Sequence, residues 1–408
     1  MTRTRAALAL AAATMIVSSL PATAGATALT DAGHSRHACV RSAQPPSGPG
    51  RTVLDIARQG KEQNDLNSVT LKVTEGGQDL LTDALGESMT GVPAEPGMHF
   101  RSGSVGIAYM GTVLLQLVDE HVVGLDDPIS RWLPNVPHAD RITLRMLGSS
   151  TSGLHDYVTD PDFLAELTTH PFRQWTDADV LAYPFSHSLW YDPGTNWSYS
   201  HANFVLLGEA LERITGTPLD KLLEQRVMSP LGLHNTQNNF TPEIPSPVLH
   251  AFTSERGTYE ESTFWNPSWT TARGAVLTTD ICDLARSAQA IGTGELLSAA
   301  GFRTQLDPGT VGLGGPTDTC PDTVCRHNTE ALHYGFTVLV ENGWIIQNPS
   351  FSGYAAIQAY LPCKDLAIAV STTKGPNSPD GNTAEVIASQ IAAALAPGNP
   401  IPGPVTAS

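Results

Sequence analysis

The chain has 408 residues, and 41% of them are hydrophobic. That length and composition predict one large hydrophobic core, or two closely packed lobes, and exclude a fibrous or disordered protein. Lysine and arginine number 23 against 40 aspartate and glutamate residues, so the net charge is −17. An acidic balance of this size argues against nucleic acid or an anionic membrane as a partner.

The first residues have the pattern of a secretory signal. Two arginines precede an apolar run from Ala7 to Leu20, and small-x-small cleavage motifs end at Ala24 and Ala28. We therefore predict a cleaved signal peptide over residues 1–28, a flexible linker over 29–50, and a secreted, extracellular protein. No later segment is apolar for long enough to span a bilayer.

Hydrophobic periodicity predicts the elements in chain order. It favours a helix over 52–63, a strand over 68–73 that turns into 78–84, and a helix over 108–121 that is apolar almost all round. Short helical segments then alternate with loops over about 126–242. The last predicted elements are four strands and one helix: 335–340, 344–347, 355–361 and 366–371, then 384–395.

The predicted strands come from both ends of the chain, with the helical segments between them. This order predicts an α+β fold, an antiparallel sheet flanked by helices with an inserted helical lobe. The sheet lobe would take 51–105 and 270–396, the helical lobe 106–269, and a Pro/Gly-rich tail over 397–408 would be disordered. A cleft between the sheet edge and the helical lobe is the default binding site.

Five cysteines are an odd number for an oxidising compartment. Cys320 and Cys325 lie in one loop, close enough for a local bridge, but either could pair with Cys363 instead. Cys282 follows a helix-start signal and is predicted to be a buried free thiol. No Cys/His spacing matches a zinc site, so we expect no metal, and no cofactor is implied.

Several short motifs occur in a recognisable order. They are Phe100-Arg101-Ser102-Gly103-Ser104-Val105, Leu125-Asp126-Asp127-Pro128-Ile129, Ser152-Gly153-Leu154, Tyr199-Ser200-His201-Ala202-Asn203 and Ser268-Trp269. Together they resemble the penicillin-recognising serine hydrolases, in the branch that holds class C β-lactamases, D-Ala-D-Ala carboxypeptidases and related esterases. The resemblance covers about Thr52 to Ala396 and implies a β-lactamase/DD-peptidase-like domain over 51–396.

The resemblance implies a serine nucleophile with a lysine three residues on, and a tyrosine that helps to take the serine proton. Ser104 occupies the nucleophile position and Tyr199 the tyrosine position. The lysine position holds Ile107, which cannot accept a proton, and His201 replaces the asparagine of the Tyr-x-Asn motif. Because imidazole titrates near neutrality, His201 is either a replacement base or a hydrogen-bonded residue that lines an inactive pocket.

A third altered motif is expected on the sheet edge. Gln347, Asn348, Pro349 and Ser350 align with the family's His-Thr-Gly-Thr stretch, from which a backbone N–H contributes to the oxyanion hole. Pro349 stands in place of glycine. Because proline has no N–H, we expect it to disturb the pairing of a substrate backbone with this strand.

Further residues are predicted to frame the cleft. Trp269 would form an aromatic wall. Arg273, where the family has a small residue, would bind an anion or plug the cleft if it points inward. His155, Asp156 and Tyr157 follow the Ser-Gly-Leu motif and are predicted to order a loop rather than to catalyse.

These observations leave three hypotheses for function. The first is a secreted pseudo-hydrolase whose cleft binds a small-molecule or peptide-like ligand or carries out non-acylating chemistry. The second is an active esterase, amidase or peptidase that uses Ser104 with His201 or Tyr199 as the base. The third is an extracellular protein-binding module for which the cleft is irrelevant. The oligomeric state is left open.

Overall fold

A computed structural model describes residues 38–403. The predicted signal peptide, residues 29–37 of the predicted linker and the last five residues of the sequence lie outside this range. Eleven α-helices are described there: α1 Pro49–Gln63, α2 Val105–Asp119, α3 Leu144–Ser149, α4 Pro161–Thr169, α5 Asp177–Phe185, α6 His201–Thr215, α7 Leu219–Leu223, α8 Ser229–Leu231, α9 Ile281–Thr293, α10 Ala299–Gln305 and α11 Thr383–Leu395.

The described strands are β1 Leu66–Glu75, β2 Gln78–Met89, β3 Val92–Pro93, β4 Phe100–Arg101, β5 Gln237–Asn238, β6 Phe252–Thr253, β7 Glu260–Glu261, β8 Leu277–Thr279, β9 Leu332–Tyr334, β10 Leu339–Glu341, β11 Trp344–Gln347, β12 Ser350–Phe351, β13 Tyr354–Leu361 and β14 Leu366–Lys374. Most of them belong to one antiparallel sheet. Its order is β3-β2-β1-β14-β13-β11-β10-β9, and β12 pairs with β13 at one end of that strand. Two small sheets, β4-β8-β5 and β6-β7, are separate from it.

The large sheet joins the two ends of the chain, as the sequence predicts. β1 lies between its hairpin partner β2 and the C-terminal strand β14, with Val69 opposite Thr372. One face of the sheet packs against α1 and α11, and the other face packs against α9. The predicted α+β fold with an antiparallel sheet flanked by helices is therefore confirmed.

Helix α2 carries the candidate nucleophile at its start and is buried almost all round. Ile107 is 1% exposed and Leu114 is fully buried. Gly106 allows this close packing, because a Cβ there would lie 2.3 Å from the carbonyl oxygen of Ala275. The apolar pattern predicted from residue 108 thus belongs to a helix that begins at Val105 and lies between two layers.

The predicted strand over 335–340 is wrong in detail. Its residues cross the turn of a hairpin, so β9 ends at Tyr334 and β10 begins at Leu339. Thr337 within the turn has a φ of 61°, which no strand residue adopts. Periodicity alone misses the turn because apolar residues continue through it.

The ends of the described chain are anchored, in contrast to the predicted flexible linker and disordered tail. Ser42 donates a backbone hydrogen bond to Thr82 on β2, and Arg41 pairs with Asp83. At the other end, the indole of Trp344 donates to the carbonyl of Asn399 at 2.7 Å, and Ile401 is 3% exposed. The N-terminal segment is therefore tied to the surface of the sheet, and the C-terminal segment adds Ile401 to the core.

Two disulfides are formed among the described cysteines. Cys39 is bonded to Cys282 at the start of α9, so the prediction of a free thiol at Cys282 is wrong. Cys320 is bonded to Cys325, which selects the local bridge. Cys363 is free and exposed, so it is not a partner of either.

Within residues 38–403, no helix has the length and apolar character needed to cross a membrane.

Candidate active site

Ser104 is presented by a sharp turn between β4 and α2. The backbone N–H of Ser102 donates to the carbonyl of Leu277 at 3.0 Å, which fixes the turn to β8. Ser104 then takes the N-cap position of α2, but its side chain accepts no hydrogen bond from the helix. The hydroxyl is therefore not used as a cap and remains available to the cleft.

Ser104 opens into a cleft of about 350 Å³. The cleft brings together six residues that the sequence predicts for the site: Ser104, Tyr199, His201, Trp269, Asn348 and Ser350. Its other lining residues are Gly103, Val158, Thr270, Pro349 and Phe351. The indole of Trp269 meets the ring of Phe351 edge to face at 5.8 Å, so one side of the cleft is an aromatic wall.

Gly103 holds Ser104 directly against the sheet edge. Its φ is 45°, and a Cβ there would lie 2.6 Å from Cβ of Pro349 and 2.9 Å from the ring of Phe351. Glycine is therefore required both by the backbone conformation and by the close contact. The turn before the serine and strand β12 are packed as one unit.

We expect Gly103→Ala to lower the free energy of unfolding by about 2–4 kcal/mol, because left-handed backbone strain adds to overpacking against Pro349. Denaturant unfolding measures the loss. The matched control is Gly91→Ala, where φ is 75° but nothing lies within 4 Å of the added Cβ. Equal losses in the two variants would show that the contact with β12 contributes nothing.

No lysine takes part in the site. Ile107 occupies the position three residues after Ser104 and packs in the core. Burial raises the pKa of the Tyr199 phenol well above its ordinary value, and the charge of Asp156 raises it further, although a hydrogen bond with Ser104 opposes the shift. Because neither lysine nor arginine lines the cleft, no side chain of this kind stabilises a Tyr199 phenolate there.

His201 is held by a carboxylate. Its Nδ1 lies 3.0 and 3.1 Å from the two carboxylate oxygens of Asp156, and its backbone N–H also donates to Asp156 at 3.1 Å. With Nδ1 donating, the other ring nitrogen of a neutral imidazole is an acceptor. The imidazole meets the ring of Tyr199 edge to face at 5.1 Å. Asp156 and His201 therefore have the arrangement of a carboxylate that orients a histidine base beside the cleft.

Sequence reasoning placed Asp156 in the loop that frames the cleft but missed its role as the partner of His201. The structure gives it the predicted loop-ordering role, because it accepts from the N–H of Val158 at 3.2 Å. It is also the partner of His201, 45 positions away. The only signal in the sequence was the acidic residue directly after His155, and that signal does not identify a partner.

Pro349 does not remove a backbone hydrogen-bond donor from the side of β12 that lines the cleft. The N–H of Ala356 donates to the carbonyl of Pro349 at 2.8 Å, so these two residues occupy a hydrogen-bonded position of the antiparallel pair. The N–H that proline lacks would therefore point at β13 and not at the cleft. Ser350, one residue on, directs its N–H away from β13 at the edge that lines the cleft. The predicted disturbance of substrate pairing at Pro349 is thus wrong.

Asn382 takes over the hydrogen bonding that Pro349 cannot provide. This residue caps α11, and its side-chain nitrogen lies 2.9, 3.2 and 3.0 Å from the carbonyl oxygens of Asn348, Pro349 and Ala356. Its Oδ1 accepts from the N–H of Glu385. One buried amide therefore ties the start of α11 to both β12 and β13.

Two backbone N–H groups are free to bind a substrate oxygen. Ser350 supplies one, and Ser104 supplies the other, since no oxygen of residues 38–403 accepts from its N–H. This is the pair of donors that the serine-hydrolase resemblance implies for an oxyanion hole. The family model described as Beta-lactamase matches residues 53–392. The chain belongs to the β-lactamase family.

Relatives and solved structures agree with this membership. The chain is 23% identical to Penicillin-binding protein 4* of Bacillus subtilis over 72% of its own length and 62% of the relative's. It is 29% identical to the D-alanyl-D-alanine-carboxypeptidase/endopeptidase AmpH of Escherichia coli, over 53% and 57%. It thus spans less than two thirds of the length of these curated relatives.

Among solved structures, a D-stereospecific amidohydrolase from Streptomyces sp. has a TM-score of 0.69 and 23% identity, over 84% of this chain and 98% of its own. The D-amino acid amidase from Ochrobactrum anthropi SV3 also has a TM-score of 0.69, with 19% identity over 85% and 97%. At these identities the likeness shows the fold alone.

Two predicted site residues lie outside the cleft of this β-lactamase-family chain. Gln347 is 6% exposed and donates from its amide to the carbonyl of Thr337, so it faces the interior of the sheet. Arg273 is exposed above the ring of Phe240 and lines a separate surface cavity with acidic residues such as Asp177. Neither residue lines the cleft, so the structure does not bring Gln347 or Arg273 into the candidate site, and Arg273 takes the solvent-exposed alternative.

Asn348 lines the cleft but directs its side chain elsewhere. Its amide nitrogen donates to a carboxylate oxygen of Glu385 at 3.0 Å. Glu385 lies in the first turn of α11, so the side chain of Asn348 leaves the cleft and enters a cavity on the other side of the strand.

Proposed function

We propose that this β-lactamase-family chain is a secreted pseudo-hydrolase whose cleft binds an uncharged carbonyl compound without forming an acyl-enzyme at an appreciable rate. The observation that carries the proposal is the buried Ile107 in the place of the lysine. A serine hydroxyl is a weak nucleophile without an adjacent base. The raised pKa of Tyr199 supports the same conclusion, because the phenol stays protonated at neutral pH and no phenolate is present to accept the proton of Ser104.

The lining of the cleft supports a neutral ligand. The N–H groups of Ser104 and Ser350 suit a carbonyl oxygen, and the wall of Trp269 and Phe351 suits an apolar side group. A carboxylate ligand would lack the guanidinium or ammonium that usually pairs with it. An amide or ester of a peptide-like compound fits best, in line with the names of the amidase neighbours. An open cleft of about 350 Å³ weighs against the protein-binding module.

A second function is favoured by the Asp156–His201 pair. A carboxylate on Nδ1 holds the imidazole in a fixed orientation, which is what the base of a serine hydrolase requires. In this alternative the chain is an esterase or amidase in which His201 takes the proton of Ser104, directly or through Tyr199. Only this alternative predicts that activity depends on His201.

Secretion is supported by the disulfides. Cys39–Cys282 and Cys320–Cys325 are bonds of a kind that persists in oxidising compartments. The predicted signal peptide agrees with them. Cell fractionation with the endogenous chain tests this part of the proposal, and retention in the cytoplasm would contradict it.

Mass spectrometry of the intact protein distinguishes the pseudo-hydrolase from the active hydrolase. The protein is first incubated with benzylpenicillin and, separately, with p-nitrophenyl acetate. We expect no adduct at Ser104 above the level of Ser104→Ala. An adduct that maps to Ser104 and disappears in His201→Gln, but not in the exposed control His170→Gln, would establish the hydrolase instead.

Non-covalent binding needs its own measurement. We expect N-acetyl-D-phenylalaninamide to show ligand-observed NMR saturation transfer, with loss of the signal in Ser350→Pro, because proline removes one of the two N–H donors. The same signal in wild type and Ser350→Pro, or no signal in either, would contradict binding of a carbonyl at this site.

A further inference from the structure

A second cavity lies on the side of β12 that faces away from Ser104. It measures about 390 Å³ and is bounded by β10, the first turn of α11 and the C-terminal segment. Two carboxyl groups line it, Glu341 and Glu385. Apolar side chains form much of the rest, notably Leu332 and Leu339. The proposed function of the cleft makes no use of this cavity.

Glu341 is buried without a partner. The residue is 5% exposed, and its carboxylate forms no hydrogen bond or ion pair with any residue in the described part of the chain. Glu385 is 7% exposed and has one donor, the amide of Asn348 at 3.0 Å. Burying two carboxylates side by side costs free energy unless a cation compensates them. The cavity is therefore short of positive charge.

The titration of the two acids agrees with the geometry. Burial raises the pKa of Glu341 to about 7, and the neighbouring charge of Glu385 adds to the shift. Burial also raises the pKa of Glu385, opposed by the hydrogen bond from Asn348. The one other charged group that lines the cavity is Arg326, which is exposed and forms no ion pair with either acid within residues 38–403.

We propose that this cavity binds a primary alkylammonium group, with the ammonium between Glu341 and Glu385 and the alkyl chain against Leu332 and Leu339. A divalent metal ion suits the cavity less well, because within residues 38–403 no third acidic, histidine or cysteine ligand joins this pair. The cavity is also far larger than a bare ion needs, and its apolar side matches a short hydrocarbon chain. The site is independent of the chemistry at Ser104.

Calorimetric titration of the full-length protein with n-butylammonium chloride at pH 8 tests the site. We expect saturable binding that weakens at least tenfold in Glu341→Gln and is unchanged in the exposed control Glu330→Gln. Binding should also weaken as the pH falls from 8 to 5, since protonation of Glu341 removes the charge that holds the ammonium.

Four outcomes of the titrations with wild type and Glu341→Gln would overturn the proposal. They are the absence of binding in wild type, equal binding in Glu341→Gln, equal binding of the neutral analogue 1-butanol, and saturable binding of calcium chloride in place of butylammonium. The variant Arg326→Gln tests whether Arg326 is itself the partner of the two acids. We expect it to leave butylammonium binding unchanged, and clearly tighter binding in that variant would show that Arg326 competes for the carboxylates and would contradict an external ammonium as their partner.

Stability without any ligand gives a further check. A carboxyl whose pKa is raised on folding destabilises the folded state as pH rises from its unfolded value, near 4.3, to its folded value. Wild type should therefore lose stability between about pH 4.5 and pH 7. Glu341→Gln should lose less over the same interval, and an identical pH profile in the two proteins would show that Glu341 is not buried as described.

Discussion

Replacing Cys39 with serine is expected to lower the free energy of unfolding by about 5 kcal/mol, the largest effect of any single substitution proposed for this chain. The Cys39–Cys282 bond closes a loop across a sequence separation of 243 residues. In the chain-entropy account, the gain from a disulfide rises with loop length, because the bond restricts the unfolded chain more strongly. Denaturant unfolding under non-reducing conditions measures the loss.

The shorter disulfide is the matched control. Cys320 and Cys325 are separated by 5 residues, for which the same account gives about 2 kcal/mol. Cys363→Ser should change little, because that thiol is free and exposed. If Cys320→Ser cost as much as Cys39→Ser, loop length would not be the reason for the stabilisation.

Asn382→Asp is expected to destabilise the protein by about 3 kcal/mol or more. The substitution keeps an oxygen that can cap α11, but it removes the amide hydrogens and sets a buried carboxylate against three carbonyl oxygens. Strand β12 should loosen with it. Hydrogen exchange of the peptide over 347–356, followed by mass spectrometry, should become faster while distant peptides keep their rates.

Asn382 has two roles, because it caps α11 and also bonds to β12 and β13, and the cap of another helix serves as a control that separates them. Ser298 caps α10 through its hydroxyl but ties no strand to the helix, so Ser298→Ala should cost only about 1 kcal/mol. Asn382→Ala loses the cap and the amide contacts together, and we expect it to cost clearly more. Equal costs, with unchanged exchange over 347–356, would show that Asn382 is a cap and nothing else.

Local patterns predicted much of the fold. β11 is observed over the residues expected, and α11 begins one residue earlier than predicted. These elements have strong periodicity and clear ends, so neighbouring residues determine them. The Cys39–Cys282 bond and the anchoring of the C-terminal segment on Trp344 could not be predicted, because each joins parts of the chain that only the tertiary fold brings together.

The candidate site shows the same division. Motif positions were enough to place Ser104, Tyr199 and His201 in one cleft, because the family fold fixes where each motif lies. Motif positions were not enough to predict how Pro349 affects the cleft. Whether the missing N–H faces the cleft or the neighbouring strand depends on the register of β12 with β13, which a one-residue shift would reverse. The orientation of Arg273 could not be predicted for a similar reason, since the sequence does not reveal on which side a turn exposes a side chain.

The pairing of β1 with β14 determines when this chain can fold. Val69 and Thr372 are opposite each other in the sheet but about 300 residues apart in sequence, so the N-terminal hairpin is made long before its partner exists. Until then, one edge of β1 keeps unpaired backbone groups that can associate with other chains. Pairing over such a distance is slow. Assembly of the complete sheet must therefore wait until β14 has been synthesised.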